Sequence, residues 1–230
     1  MSRGRSRFPA LLANLTATEY RRIHRALRPV VLAPGQVLLT PGRPVRTLYF
    51  LCDGVCSIRQ VMKSGRTVEI AMVGNEGIVG IEAIFGVRRA RYAAIVRHPD
   101  ARALAMDVRV FDDQMRSKES FERVTQRYAY AFLNSVMQSA ACNAVHAVDA
   151  RCARWLLTMR DRVGRDEFPF TQAAMAAALG VRRPTVTLAV AELQRKGLID
   201  YWRHGLVIRS PSGLMTVSCE CRDVLRKLLR

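Results

Sequence analysis

The sequence predicts an α+β chain in three parts: an N-terminal barrel of short strands, a long central helix and a C-terminal winged helix-turn-helix. Three observations carry this expectation. Between Val30 and Met106, short β-rich runs alternate with glycine, proline or charged turns, and evenly spaced short strands of that kind close into a barrel or sandwich. From about Lys118, apolar residues recur at helical spacing with no proline or glycine before Gly164, which marks a long helix. After Thr171, two helical runs flank Gly180 and two strand-like runs follow, the order of a helix-turn-helix with a hairpin wing. The boundaries implied are 1–113 for the first helix and barrel, 114–148 for the long helix and 149–230 for the winged helix-turn-helix.

Half of the 230 residues are hydrophobic, enough for packed cores and against global disorder. The formal net charge is +18, a balance that favours a polyanionic partner. The apolar runs fall short of the ~20 residues a membrane span needs. Residues 1–7 are basic, lack the apolar stretch of a secretory signal, and read as a flexible arm. The expected location is the cytoplasm, with no membrane partner.

In chain order, Thr16 and Glu19 have the spacing of a capping box, opening a helix to about Ala26 or Leu27 that Pro29 ends. Strand-like runs follow at residues 37–39, 48–51, 55–61, 67–73, 93–96 and 103–106. Their turns are Pro34-Gly35, Pro41-Gly42, Asp53-Gly54, Ser64-Gly65, Gly74-Asn75 and His98-Pro99-Asp100. Residues 107–119 show little periodicity and read as a transition. The long helix then carries Phe121, Val124, Tyr128, Ala131, Phe132, Ser135 and Val136 at helical spacing, a stripe suited to pairing two copies of the chain. A break near Val148 lets Asp149 cap a fresh helix over 150–163.

Thr171 caps a short helix, Gly180 ends it in a left-handed turn, and a second helix runs from Arg183 to Lys196 before Gly197. Strands near 198–201 and 206–208 meet around Arg203-His204-Gly205 as the wing. In a helix-turn-helix the N-terminal end of the second helix enters the major groove. Here that end reads Arg182-Arg183-Pro184-Thr185-Val186-Thr187. An arginine pairs two donors with a guanine edge, Thr185 and Thr187 reach phosphates or bases, and Pro184 costs nothing in a first turn. Val186, Ala189, Val190 and Leu193 should pack inward. From Arg182 to Arg209 six Lys/Arg stand against two acids, the excess a phosphate backbone attracts.

These parts, in this order, resemble the Crp/Fnr family of bacterial transcription factors. The resemblance runs from the barrel stretch Pro34-Gly35-Gln36-Val37-Leu38 through Leu48-Tyr49-Phe50-Leu51-Cys52-Asp53-Gly54-Val55 to Thr171-Gln172 and Leu179-Gly180-Val181-Arg182-Arg183-Pro184-Thr185-Val186-Thr187. It implies a cyclic-nucleotide-binding-like β-roll, a dimerisation helix, and a homodimer that binds double-stranded DNA and regulates transcription under a small-molecule effector. An activator of this kind also meets RNA polymerase. The DNA-contacting positions it implies are Thr171, Gln172, Arg182, Arg183, Thr185, Thr187 and Arg203.

The departures are informative. The family's cAMP-binding members hold the ribose with a Gly-Glu pair and the cyclic phosphate with an Arg-Ser pair. Here the first reads Gly80-Ile81-Glu82, with the acid one residue late, a shift that turns a strand side chain to the other face. The second falls at Tyr92-Ala93, with Arg91 before it. Gly80, Glu82, Arg91 and Tyr92 are the candidate effector residues. Arg88, Arg89 and Arg91 favour an anionic ligand, and cAMP is not the expected one. The family's Arg-Glu-Thr-Val-x-Arg reads Arg183-Pro184-Thr185-Val186-Thr187-Leu188, without the acidic base reader, so a different operator is expected.

No cysteine precedes Cys52, against an N-terminal iron–sulfur cluster, and His24, His98, His146 and His204 are isolated, against haem. The six cysteines form no paired CxxC clusters, so a structural zinc site is not indicated, and no metal site is expected. No G-x-S-x-G, P-loop or H-E-x-x-H appears, so the chain is not expected to be an enzyme. Two alternatives remain: a ligand-binding module without DNA function, and a thiol-redox-sensing regulator using Cys219 and Cys221, which precede a basic helix over 223–230.

Overall fold

The structure is a computed structural model that describes residues 8–97, 101–117, 120–203 and 205–228. The arm at 1–7, the His98-Pro99-Asp100 turn, Lys118, His204 and the last two residues of the expected C-terminal helix lie outside the described residues. Packing divides the chain into two compact units. One holds residues 1–61 and 72–133; the other holds 62–71 and 134–230.

The first unit opens with α1 (Ala10–Ala13) and α2 (Ala17–His24). The expected capping box is present: Thr16 accepts from Glu19 N, and the Glu19 carboxylate accepts from Thr16 N. Glu19 also accepts from both the amide and the hydroxyl of Ser120. The Ser120 and Thr16 hydroxyls, first and second in weight, hold its carboxyl at about 2, against an ordinary 4.5. A carboxylate whose folded pKa is depressed contributes stability that is complete above its unfolded pKa and is lost as pH falls toward the folded one. The urea midpoint of the full chain is therefore expected to fall as pH drops from about 5 to about 3, and Glu19→Gln to flatten that slope. An unchanged slope in the variant would assign the acid sensitivity to other carboxylates.

The strands are β1 (Arg28–Leu32), β2 (Val37–Leu39), β3 (Thr47–Asp53), β4 (Cys56–Val61), β5 (Thr67–Val73), β6 (Ile78–Val79), β7 (Ala93–Val96) and β8 (Ala101–Asp107). They form two antiparallel sheets of order β1-β8-β3-β6 and β2-β7-β4-β5. Strand β8 is at the centre of the first, with Leu48 opposite Met106 and Phe50 opposite Leu104. Inward residues Leu48, Phe50, Ile58 and Ala94 are buried, the alternation a rolled sheet requires. Gly54 turns the β3–β4 corner at φ 85°, where a Cβ would lie 2.6 Å from Ala101 Cβ.

Strands β1 and β6 were not apparent in the sequence. Pro29 sits in β1, while α2 ends earlier, at His24. Residues 107–119, expected as a transition, contain a helix instead, α3 (Val108–Arg116), capped by Asp107 accepting from Arg109 N. Its core residue is Phe111, which meets Phe121 edge-on at 5.5 Å between ring centroids, and Phe50 lies 6.4 Å from Phe121. A single buried side chain on so short a helix leaves little periodic signal.

The long helix α4 (Ser120–Val145) is present. The next, α5 (Val148–Val163), starts earlier than expected and Ala147, not Asp149, occupies its N-cap position. Asp149 lies within its first turn, where a negative charge complements the helix dipole. The second unit continues with β9 (Glu167–Pro169), α6 (Gln172–Leu179), α7 (Arg183–Arg195), β10 (Ile199–Trp202), β11 (Gly205–Ile208), α8 (Pro211–Val217) and α9 (Cys221–Leu228). The wing sheet has order β10-β11-β9. Within this unit Trp155 Nε1 donates to Glu69 Oε1 at 3.1 Å, and Trp155, Phe170 and Tyr201 stack edge to face in series.

Candidate nucleic-acid interface

Helix α6 begins at Thr171, whose hydroxyl accepts from Ala174 N, and ends at Gly180 with φ 68°. A β-carbon is disfavoured there, and the turn into α7 depends on it. Arg151, buried on α5, donates to the Leu179 carbonyl, so a cation meets the negative end of α6. Val186, Ala189, Val190 and Leu193 are all buried, as expected for the inward face of α7.

The outward face of α7 presents Arg183, Pro184, Thr187 and Leu188. Leu188 is 73% exposed, an apolar group of the kind that meets a thymine methyl in a major groove; it was not among the sequence candidates. Thr187 donates to the Gln172 side-chain oxygen at 2.7 Å and lies 3.1 Å from the Arg183 carbonyl. Its hydroxyl thus ties the two helices together, and Gln172 is positioned by the same bond. Thr171 and Thr185 are exposed.

The six basic residues are not equivalent. Arg195 and Lys196 both pair with Glu192, at 2.7 and 3.2 Å. Those two partners, Arg195 first, hold the Glu192 carboxyl at about 2. Arg209 pairs with Asp200 at 2.6 Å. Arg182, Arg183 and Arg203 stand outside these pairs. Among the described residues, the charge outside ion pairs therefore gathers at the N-terminal end of α7 and at the wing.

In the barrel, Gly80 adopts φ 103° and opens a 3-10 turn over Ile81–Phe85. The strand-face argument for Glu82 accordingly does not hold, because the residue is not in a strand. Glu82 is buried and accepts from the Tyr92 phenol at 2.6 Å, while its Oε1 has no hydrogen-bond partner. Burial first, and Glu82 second, push the Tyr92 hydroxyl well above its ordinary pKa. Tyr92→Phe strands the whole carboxylate, at a cost of about 1–3 kcal/mol. The expected result is a lower urea midpoint, largely restored in a Tyr92→Phe/Glu82→Leu double variant; equal loss in both would show the pair to be unimportant.

Arg91 lies apart from that pair. It lines an open cleft of about 520 Å³ with Pro41, Gly42, Val87, Arg88, Arg89 and Ala90. Arg88 is held by Asp112 at 2.6 Å, and Arg89 donates to the Gly42 carbonyl at 2.9 Å. Of the four candidate effector residues, Glu82 and Tyr92 thus form a buried acid–phenol pair, Arg91 lines a basic cleft, and Gly80 opens the turn that carries Glu82.

On α4, Phe121, Tyr128 and Ser135 are buried in the chain's own fold, so these three cannot serve as a pairing surface. Phe121 packs on Phe50 and Phe111, and Tyr128 donates to the Ile78 carbonyl. Val124, Ala131, Phe132 and Val136 differ from them in not being fully buried. A second stripe is exposed instead: Tyr130 at 70%, Leu133 at 55% and Met137 at 59%, continued by exposed Ala140 and Ala144.

All six cysteines are buried, and none is in a disulfide. Cys142 on α4 and His146 just past its end meet Cys219, in the turn before α9, and Cys221, the first residue of α9, with their ligand-type atoms all within 4.8 Å of one another. CxxC spacing does not reveal this group, because Cys142 and Cys219 lie 77 residues apart in the chain.

A family model of the Crp-like helix-turn-helix domain matches residues 150–217, and one of the cyclic nucleotide-binding domain matches residues 29–118. The chain is similar to the CRP-like cAMP-activated global transcriptional regulator of Mycobacterium tuberculosis, 24% identical over 200 residues, 83% of this chain and 84% of that protein. It is also similar to transcriptional regulator SdrP of Thermus thermophilus, 27% identical over 178 residues, 72% of this chain and 81% of that protein. Its fold is similar to FixK2 from Bradyrhizobium japonicum, with a TM-score of 0.72 at 15% identity, covering 84% of this chain and 98% of that one.

Proposed function

Because the chain belongs to the Crp/Fnr family of transcriptional regulators, we propose that it binds a palindromic operator as a homodimer, with Arg183 reading a guanine in each half-site. It is a DNA-binding regulator with an effector domain and not an enzyme. The observation that carries the proposal is the end of α7, where Arg182 and Arg183 stand outside the ion pairs that neutralise Arg195, Lys196 and Arg209. A guanidinium outside such pairs among the described residues can offer both donors to guanine O6 and N7. Arg182, Arg203, Thr171 and Thr185 take phosphate or sugar contacts, which position without specifying. Thr187 and Gln172 act as a brace between the helices, and Leu188 meets a base edge.

Dimerisation runs along the exposed stripe Tyr130, Leu133, Met137, Ala140 and Ala144, whose spacings alternate three and four as a coiled-coil seam requires. The three parts work as 1–113 for sensing, 114–148 for pairing and 149–230 for DNA binding. The effector is an anion admitted by the Arg88, Arg89 and Arg91 cleft; cAMP is not the expected one, since Glu82 is engaged through one oxygen by Tyr92 and does not line that cleft. No described helix is long and apolar enough to cross a membrane, and a DNA target places the protein in the cytoplasm.

The test is selection of bound sequences from a randomised duplex library by the full chain with no ligand added. Enrichment of a palindrome with an invariant guanine in each half supports the proposal. Absence of any enriched sequence, both alone and with a panel of cyclic and linear nucleotides, overturns it.

A further inference from the structure

Gln138 and Cys142 on α4, and His146 one residue past its end, follow at intervals of four; His146 N still bonds to the Cys142 carbonyl at 3.1 Å, and side chains at that interval share a face. Against this face lies the turn from α8 to α9, carrying Cys219, Glu220 and Cys221. Cys142 Sγ is 3.6 Å from Cys219 Sγ, and Cys221 Sγ is 3.6 Å from His146 Nδ1. A tetrahedral zinc ion with Zn–S near 2.3 Å and Zn–N near 2.0–2.1 Å has S···S edges of about 3.8 Å and S···N edges of about 3.6 Å. These two spacings match one edge of each kind, and all the donor atoms lie within 4.8 Å of one another. Three sulfurs with one imidazole is a donor set that selects zinc over hard cations.

The surroundings supply a second, independent observation. His146 Nε2 lies 3.2 Å from Glu220 Oε1. That leaves Nδ1 facing the sulfurs, the carboxylate–histidine–metal relay that fixes tautomer and ring orientation. Gln138 Nε2 donates to Cys221 Sγ at 3.1 Å, a bond that supports a thiolate. Three thiolates around a dication leave one net negative charge. Arg154, buried in the same compact unit, supplies an opposite charge. The sulfurs form a small cluster of their own with Ala150 packed against it.

We propose that Cys142, His146, Cys219 and Cys221 form a tetrahedral Cys3His site for zinc, with Glu220 and Gln138 as its supporting partners. Binding exchanges three thiol protons for one dication and leaves the imidazole neutral; no electron is transferred. The ligand pairs bracket the whole segment from α5 to α8, so the ion closes a loop around the helix-turn-helix and steadies it against unfolding.

The experiment measures metal in the full-length protein, purified under reductant without chelator, and follows Co²⁺ titration of the metal-stripped protein by absorption. Expected are one zinc per chain, and cobalt bands of a tetrahedral thiolate site at one equivalent. Glu220→Gln, at an exposed position, is expected to weaken zinc about 10–100-fold without changing the circular dichroism, and Cys142→Ser to abolish the charge-transfer band. Wild-type protein with neither bound zinc nor the cobalt spectrum overturns the site. So does a Cys142–Cys219 disulfide trapped by alkylation in place of metal, which would make the cluster a redox pair, or the visible absorption of an iron–sulfur cluster. No arm uses DNA, so failure here leaves the operator-binding proposal standing.

Discussion

Arg183→Ala is expected to weaken operator binding by about 30-fold or more, because each bidentate arginine–guanine pair contributes about 1–3 kcal/mol of discrimination and the dimer carries two. The loss should be confined to the guanine it reads: binding to the selected site falls toward that of a site mutated at this base, while non-specific binding changes little beyond the removal of one charge. Arg182→Ala provides the contrast. Taking one phosphate-neutralising cation from each half-site lowers affinity on all sequences and reduces the dependence of log affinity on log salt by about 0.9 per phosphate and per subunit. Fluorescence anisotropy across a salt series, on matched and guanine-substituted duplexes, separates the two. If Arg183→Ala shifts all sequences equally, Arg183 binds phosphate and base reading passes to Leu188 and its neighbours. Arg195→Ala should do little, since Glu192 already neutralises that cation at 2.7 Å.

The helix-turn-helix was legible in the sequence because its determinants are local. Thr171 caps, Gly180 takes the left-handed turn, and the buried face of α7 follows from a period of 3.6. The pairing of Glu192 with Arg195 and Lys196 is local too, at three and four residues, and spacing alone could have revealed it. Counting charges from Arg182 to Arg209 hid that Arg182, Arg183 and Arg203 stand outside the ion pairs among the described residues. Arg209 with Asp200 is different: that pair depends on how the wing hairpin folds. The barrel's core strands were legible where turn residues bound an apolar run, but β6, two residues long, and α3, with one core side chain, carry too little pattern to stand out. Glu82 meeting Tyr92, and Cys142 meeting Cys219, are products of tertiary folding that no local period encodes.

Helix α4 shows the same limit most clearly, and yields the second large effect. Helix α4 carries two apolar faces, and periodicity cannot say which one the chain keeps for itself. Phe121 and Tyr128 lie on the face turned toward the chain's own fold; Tyr130, Leu133 and Met137 lie on the exposed one. Leu133→Glu/Met137→Glu should therefore yield a folded monomer by sedimentation equilibrium, because like charges would face one another across a desolvated seam. Each half-site would then be bound independently, and without the linkage operator affinity should fall by about 10²–10⁴. Phe121→Ala should do the opposite. Removing a fully buried ring between Phe50 and Phe111 destabilises by about 3–5 kcal/mol, lowering the urea midpoint while the folded protein still dimerises. If Phe121→Ala instead gave a stable monomer and the double glutamate variant stayed dimeric, the seam would lie on the face that periodicity first suggested. The exposed stripe would then have to find another partner.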